Sequence, residues 1–182
     1  MIHKTCYYFI SKFDKSLINK LEKKIHIIYR NYQKKYEKNE ILQIKKFCKS
    51  QRRKFFLAND LKLAKSLHLD GVYIPSFNKD PIPTSFNKNT FAILGSAHNL
   101  NEIVQKKKQN VDLLFISPLF KIKKKNYYLG PIKYNILSNQ FNKKTIALGG
   151  INKRNLKMIS KINCYGFASI SYIEKYKLNG NR

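Results

Sequence analysis

Phe55-Phe56-Leu57-Ala58-Asn59-Asp60-Leu61-Lys62-Leu63-Ala64-Lys65-Ser66-Leu67-His68-Leu69-Asp70-Gly71-Val72-Tyr73-Ile74-Pro75 spells out one whole unit of the architecture. Phe55 to Ala58 is a short apolar run, the length of a buried strand. Asn59 to Leu69 then carries apolar residues every three or four positions between lysines, the spacing of a helix with one buried face. Gly71 to Pro75 is a second buried strand. Strand, helix and strand in that order predict a βα unit and a parallel sheet.

The same alternation extends in both directions. Further apolar runs are Thr5 to Ser11, Ile25 to Arg30, Thr90 to Gly95, Val111 to Ser117, Thr145 to Gly149 and Gly166 to Ser171. Helical spacing fills Asp14 to Lys24, Lys35 to Gln51, Asn99 to Gln109 and Asn152 to Ile162. Phe77 to Asn89, broken by Pro81 and Pro83, and Lys121 to Pro131 are poor in helix signal. Eight strands allow an open doubly wound sheet or a closed (β/α)8 barrel. The length of 182 residues favours the open sheet, because barrels typically need nearer ~250. The first βα turn has no Gly-x-Gly-x-x-Gly, however, and polar groups follow almost every strand instead of gathering at one switch point. That distribution predicts a compact single-domain (β/α)8 TIM barrel over residues 1–182, with a polar tail that frays over 176–182.

Composition excludes several classes of function. No apolar run approaches the ~18 residues of a membrane helix, so no membrane association is expected. The N-terminus lacks a secretory leader pattern, and Cys6, Cys48 and Cys164 form no paired framework or zinc motif, which predicts a cytoplasmic protein with reduced thiols. A net charge of +27, from 37 Lys and Arg against 10 Asp and Glu, invites a nucleic-acid reading. The excess is mostly lysine spread over every segment beside abundant Ile and Asn, as on solvated helix faces, so no specific nucleic acid is expected. The same field favours small phosphorylated substrates. A homo-oligomer is compatible with the sequence, which does not set oligomeric state.

Polar residues at the carboxyl ends of the strands are the site candidates. They are Arg30, Asn59 and Asp60, Asn78, Ser96 and His98, the lysine run 121 to 125, Gly149-Gly150, and Ser169 and Ser171. Two glycines let backbone N–H groups approach an anion, so Gly149-Gly150 with Ser169 and Ser171 suggest a phosphate cradle, or else a tight turn. Asn59-Asp60 offers hard oxygen ligands for Mg2+ or an ordinary helix N-cap. His98 is a proton carrier or a structural hydrogen-bonding residue. No Ser/His/Asp triad, carboxylate pair or His/Cys metal cluster can be assembled, which disfavours covalent hydrolase chemistry.

The ordered set Phe55-Phe-Leu-Ala-Asn59-Asp60, Asp70-Gly71-Val-Tyr-Ile-Pro75, Leu94-Gly95-Ser96-Ala-His98-Asn99, Val111-Asp112-Leu-Leu-Phe-Ile-Ser-Pro118, Ile146-Ala-Leu-Gly149-Gly150-Ile-Asn152 and Gly166-Phe-Ala-Ser169-Ile-Ser171 resembles the thiamine phosphate synthase and TenI family over nearly the whole chain. The resemblance implies a synthase that joins aminomethylpyrimidine diphosphate to hydroxyethylthiazole phosphate with release of pyrophosphate and Mg2+ assistance, in thiamine biosynthesis. It implies that Arg30 and Asn59 contact diphosphate and that Asp60 and Asn78 hold Mg2+. It places Ser96 in the pyrimidine site and Lys125 at the basic position after the sixth strand. Gly149, Gly150, Ser169 and Ser171 would hold the thiazole phosphate.

The chain departs from that pattern at several places. Its second strand ends Ile28-Tyr29-Arg30-Asn31-Tyr32, without the family's glutamine and lysine. The second Mg2+ aspartate falls on Asn78, with Asp80 two residues on as a substitute ligand. The Thr-x-Thr-Lys signature becomes Ile122-Lys123-Lys124-Lys125, and Ser117-Pro118 stands for its Gly-Pro. The departures keep two alternatives open. One is a TenI-like thiazole phosphate isomerase with His98 as base, and the other is a catalytically inactive phosphate-binding barrel.

Overall fold

The computed structural model describes residues 4–83, 90–122 and 126–176. Its strands are β1 (Thr5–Ile10), β2 (Ile25–Tyr29), β3 (Phe55–Ala58), β4 (Gly71–Ile74), β5 (Ala92–Ala97), β6 (Leu113–Ile116), β7 (Lys144–Leu148) and β8 (Gly166–Ala168). They form a closed barrel in sequence order, with every pairing parallel. The helices are α1 (Lys15–Lys20), α2 (Lys38–Ser50), α3 (Leu61–Ser66), α4 (Leu100–Lys108), α5 (Gly130–Asn139) and α6 (Ser171–Tyr176). The expected architecture is present. Among the described residues no helix is long and apolar enough to cross a membrane.

Each strand sends alternate side chains into the barrel and out to the helices, since the strand period is two. The inward set packs as one cluster that includes Tyr7, Phe9, Ile28, Phe56, Tyr73, Leu94, Phe115 and Ile146. Its centre is aromatic: Phe115 lies 5.1 Å from the Tyr7 ring centroid, 6.0 Å from Phe9 and 5.5 Å from Tyr73. Large rings fill the lumen, so the barrel is a packed core and not a pore. The outward set, with Ile27, Leu57, Val72, Ile93, Leu114 and Ala147, meets Ile18, Ile41, Ile44, Ala64, Ile103 and Tyr134 of the helices.

Three local details differ from the sequence reading. The segment expected to be helical after β7 is a single 3-10 stretch, Leu156–Lys161. The last apolar run stops as a strand at Ala168, and Ser171 opens α6. The connection read as helix-poor after β6 leads into α5, which begins at Gly130 with Pro131 in its first turn, where a missing N–H costs nothing. Between β4 and β5 the described residues contain no helix, as the prolines predicted. The tail over 177–182 lies outside the described residues.

Candidate active site

Strand parity carries the inward faces of β2, β4 and β5 up to Arg30, Tyr73 and Ser96 at the carboxyl end of the barrel. The Arg30 guanidinium lies 4.5 Å from the centroid of the Phe9 ring, a cation–π contact that holds it across the mouth. It also lines a cleft of about 330 Å3 with Ile10, Ser11, Lys12 and Ile170. Burial raises the pKa of the Tyr73 hydroxyl, and the neighbouring Ser96 and Arg30 side chains oppose that rise. The structure thus joins two expected site residues through a third that the sequence reading passed over. Its signal was present, because Tyr73 shares the inward parity of β4.

His98 follows on β5. Its ring Nδ1 lies 2.9 Å from Glu102 Oε2, and its backbone N–H donates to the same oxygen at 2.7 Å. Asn99 caps α4 by accepting the Glu102 N–H at 3.0 Å. One face of the imidazole is therefore tied to the helix cap, which fixes the ring's direction.

The loops after β3 and β4 meet. Asn59 adopts φ +61, a conformation asparagine tolerates better than most residues. Its Oδ1 accepts a hydrogen bond from Asn78 Nδ2 at 2.8 Å. Asn78 Oδ1 in turn accepts the Asp80 N–H at 2.9 Å. Asp60 caps α3, accepting the Leu63 N–H at 2.9 Å, so the bland reading of this residue is realised by one of its oxygens. Asn59, Asp60, Asn78 and Asp80 also line one cleft of about 420 Å3 with Lys62. On the other side of Asn59-Asp60 lies a second cleft, of about 500 Å3, walled by Tyr32, Lys34, Lys35, Tyr36 and Phe77. Tyr32 and Phe77, both well exposed, pair edge to face at 5.4 Å. Tyr32 stands where the family pattern has lysine, and Lys34 and Lys35 place cations two and three residues later.

The glycine pair after β7 is needed for close approach. Gly149 and Gly150 have φ +94 and +69. A Cβ on Gly150 would stand 2.5 Å from the Phe120 carbonyl oxygen, and one on Gly149 2.9 Å from Pro118 Cβ. The β6–α5 segment is thereby laid directly against the end of β7. Ser169 is buried, and its hydroxyl donates to the Ile151 carbonyl at 3.2 Å while accepting the Tyr172 N–H at 3.3 Å. Ser171 is exposed and borders a cleft of about 400 Å3 with Asn152, Lys153, Arg154 and Lys175. Lys153 and Arg154, missed in the sequence, add cations beside Ser171. Lys123, Lys124 and Lys125 lie outside the described residues.

Residues 11–173 match the thiamine monophosphate synthase family. The chain belongs to that family. Among thiamine-phosphate synthases, that of Prochlorococcus marinus subsp. pastoris is 27% identical over 183 residues, 95% of this chain and 51% of the relative. Thiamine-phosphate synthase 1 of Streptococcus pneumoniae R6 is 31% identical over 78% of this chain and 70% of its own length. The chain thus spans about half of the first relative and seven-tenths of the second. The solved structure of the thiamine phosphate pyrophosphorylase from Pyrococcus furiosus superposes with a TM-score of 0.69 at 17% identity, covering 94% of this chain and 90% of that one. The corresponding structure from Bacteroides thetaiotaomicron gives 0.62 at 17% identity, over 92% and 82%. These structures share the barrel fold with this member of the thiamine monophosphate synthase family.

Proposed function

We propose that this barrel is a divergent thiamine phosphate synthase, coupling aminomethylpyrimidine diphosphate to hydroxyethylthiazole phosphate and releasing pyrophosphate. The observation that carries the reading is the Asn59–Asn78 hydrogen bond, which gathers Asp60 and Asp80 into one cleft beside the barrel mouth. Among the described residues no three His, Cys, Asp or Glu side chains converge into a self-sufficient metal site. Two carboxylates are nevertheless the donor set that suits Mg2+, which takes one or two carboxylates and completes its shell with water and substrate phosphates. Asp60 and Asp80 would hold the ion, and Asn78 serves as the strut between their loops. When bound, magnesium would offset the negative charge that builds on the leaving diphosphate.

The chain's own residues supply the rest by position and charge. Arg30, held on Phe9, presents a guanidinium to diphosphate oxygens, and Lys34 and Lys35 extend that cationic wall. Ser96 and Tyr73 offer paired hydroxyls to a polar heteroaromatic ring at the mouth. As the methylene–oxygen bond breaks, its electron pair leaves with pyrophosphate, and the thiazole nitrogen donates the pair that forms the new carbon–nitrogen bond. No proton transfer is required, so catalysis rests on charge stabilisation and alignment. Gly149 and Gly150, with Ser171, Lys153 and Arg154 nearby, would anchor the thiazole phosphate. The odd count of three cysteines, of which Cys6 and Cys48 are buried, supports a reducing, cytoplasmic setting.

A second reading is favoured by one observation: the Glu102-oriented His98 is a positioned proton carrier, which a TenI-like isomerase of the thiazole phosphate requires. Incubating the full chain with both substrates, with Mg2+ and with chelator, separates the two. Metal-dependent thiamine phosphate supports the synthase. Isomerised thiazole phosphate without coupling, abolished by His98→Asn, supports the isomerase and overturns the synthase reading.

A further inference from the structure

Lys106 is one of three consecutive lysines on α4, yet it is 0% exposed. Its stem lies against Gly95 of β5, where an added Cβ would come within 3.2 Å of Lys106 Cδ. Its ammonium donates to the Pro75 carbonyl at 2.7 Å, the Asn78 carbonyl at 2.8 Å and Gln109 Oε1 at 2.7 Å. All three acceptors are neutral oxygens. A buried ammonium whose acceptors are all neutral is costly to retain even with the Glu102 carboxylate one turn earlier favouring its charge, and packing alone is served as well by an apolar side chain. Its neighbours act on the same segment: Gln109 Nε2 donates to the Asp80 carbonyl at 2.7 Å, and Gln105 Nε2 to the Lys79 carbonyl at 2.9 Å. One face of α4 thus grips the carbonyls of residues 75, 78, 79 and 80, just where the β4–β5 connection has no helix of its own among the described residues. With those carbonyls drawn outward, the side chains of Asn78 and Asp80 line the cleft shared with Asn59 and Asp60.

We infer that Lys106, assisted by Gln109, is a positioning residue for the diphosphate end of the site, fixing the 75–80 loop so that Asp80 faces Asp60 across the metal–diphosphate cleft. The inference rests on the synthase reading and adds to it a dependence on α4, an element that contributes no ligand. It predicts selectivity: loosening the loop harms the diphosphate and metal half of the site and spares the thiazole phosphate half.

The test compares the full-length protein with Lys106→Met, which keeps the stem and removes the three donors, and with Gln109→Glu, which leaves an acceptor for Lys106 but loses the donor to Asp80. Calorimetric titration with inorganic pyrophosphate and Mg2+ is read beside separate KM values for the two substrates. Hydrogen exchange reports on residues 75–83. The expected result is faster exchange confined to that loop, a roughly ten-fold or larger rise in the pyrophosphate Kd and the diphosphate KM, and an unchanged thiazole phosphate KM. Folded variants whose pyrophosphate Kd matches wild type, or whose two KM values rise together, overturn the positioning role. If Lys106→Met does not fold, Gln109→Glu decides alone by the same criteria. A wild-type protein that neither couples the substrates nor binds Mg2+-pyrophosphate overturns the synthase reading, and this inference with it; a wild type that does both isolates any failure to Lys106.

Discussion

Replacing Asp60 by asparagine and by alanine separates two roles that this residue combines. One carboxylate oxygen accepts the Leu63 N–H at 2.9 Å and caps α3, while the side chain also borders the cleft that contains Asn78 and Asp80. Asparagine caps a helix about as well as aspartate, whereas alanine loses about 1 kcal/mol. Asp60→Asn should therefore leave the melting temperature within about 1 °C of wild type, and Asp60→Ala should lower it by about 2–4 °C. Both substitutions remove the same negative charge from the cleft. A unit charge about 4 Å from a unit of opposite charge is worth about 4 kcal/mol at an effective dielectric near 20, and about half of that survives at a solvent-accessible site. The expected loss in kcat/KM for the pyrimidine diphosphate is about 30-fold for either variant. Thiamine phosphate formation measured against Mg2+ concentration, with thermal melts in parallel, makes the comparison. If Asp60→Asn turns over at the wild-type rate with the wild-type Mg2+ dependence while Asp60→Ala loses only stability, the carboxylate is a helix cap and the metal assignment is refuted.

Gly150→Ala puts a Cβ 2.5 Å from the Phe120 carbonyl oxygen at φ +69. The backbone conformation alone costs about 1–2 kcal/mol, so the melting point should fall by several degrees and the thiazole phosphate KM should rise; a variant with both values unchanged shows that the two loops do not meet this closely. Tyr73→Phe removes a hydroxyl that interacts with Ser96 and Arg30, and kcat/KM for the diphosphate should drop about ten-fold with no change in the KM of the thiazole phosphate, as steady-state kinetics will show. His26 accepts the Lys54 N–H at Nδ1, and burial, helped by Lys54 and Arg53 and opposed by Asp70, pulls its pKa from 6.5 down to about 4. Between those values the unfolded chain binds more protons than the folded one, so stability falls as pH drops through 6.5 towards 4, by about 3 kcal/mol at most. The difference in unfolding free energy between wild type and His26→Asn, followed from neutral pH to pH 4, should therefore shrink or change sign, and a flat difference refutes the assignment.

How much of this was legible in the sequence depends on the range of the interaction involved. Strands and helices declared themselves by period, because burial on one face repeats at two or at 3.6 residues; Phe55–Ala58 and Gly71–Ile74 fall where their apolar runs predict. The barrel closure was legible only indirectly, through polar residues following nearly every strand. Contacts between loops were not legible at all. Nothing local to Asn59 or Asn78 announces that their amides meet, since that bond depends on the register of β3 against β4. Ser169 looked like a phosphate ligand, but its hydroxyl is engaged by Ile151 and Tyr172, a consequence of α6 starting two residues later.

Lys106 shows how composition can hide a signal that spacing contains. In a chain with this excess of lysine, Lys106-Lys107-Lys108 reads as a solvated helix face. Ile103 is fully buried, however, and the residue three positions on shares its face, so the spacing that buries Ile103 also turns Lys106 inward. Charge on a core-facing position needs acceptors, and here they are the backbone carbonyls of a loop that has no helix of its own. The lysine's identity follows from that geometry: its unbranched stem crosses the layer beside Gly95 and delivers three donors to one point, whereas a guanidinium would spread its donors over a plane. Lys106→Arg should consequently fail to reproduce the wild-type loop even though it preserves the charge.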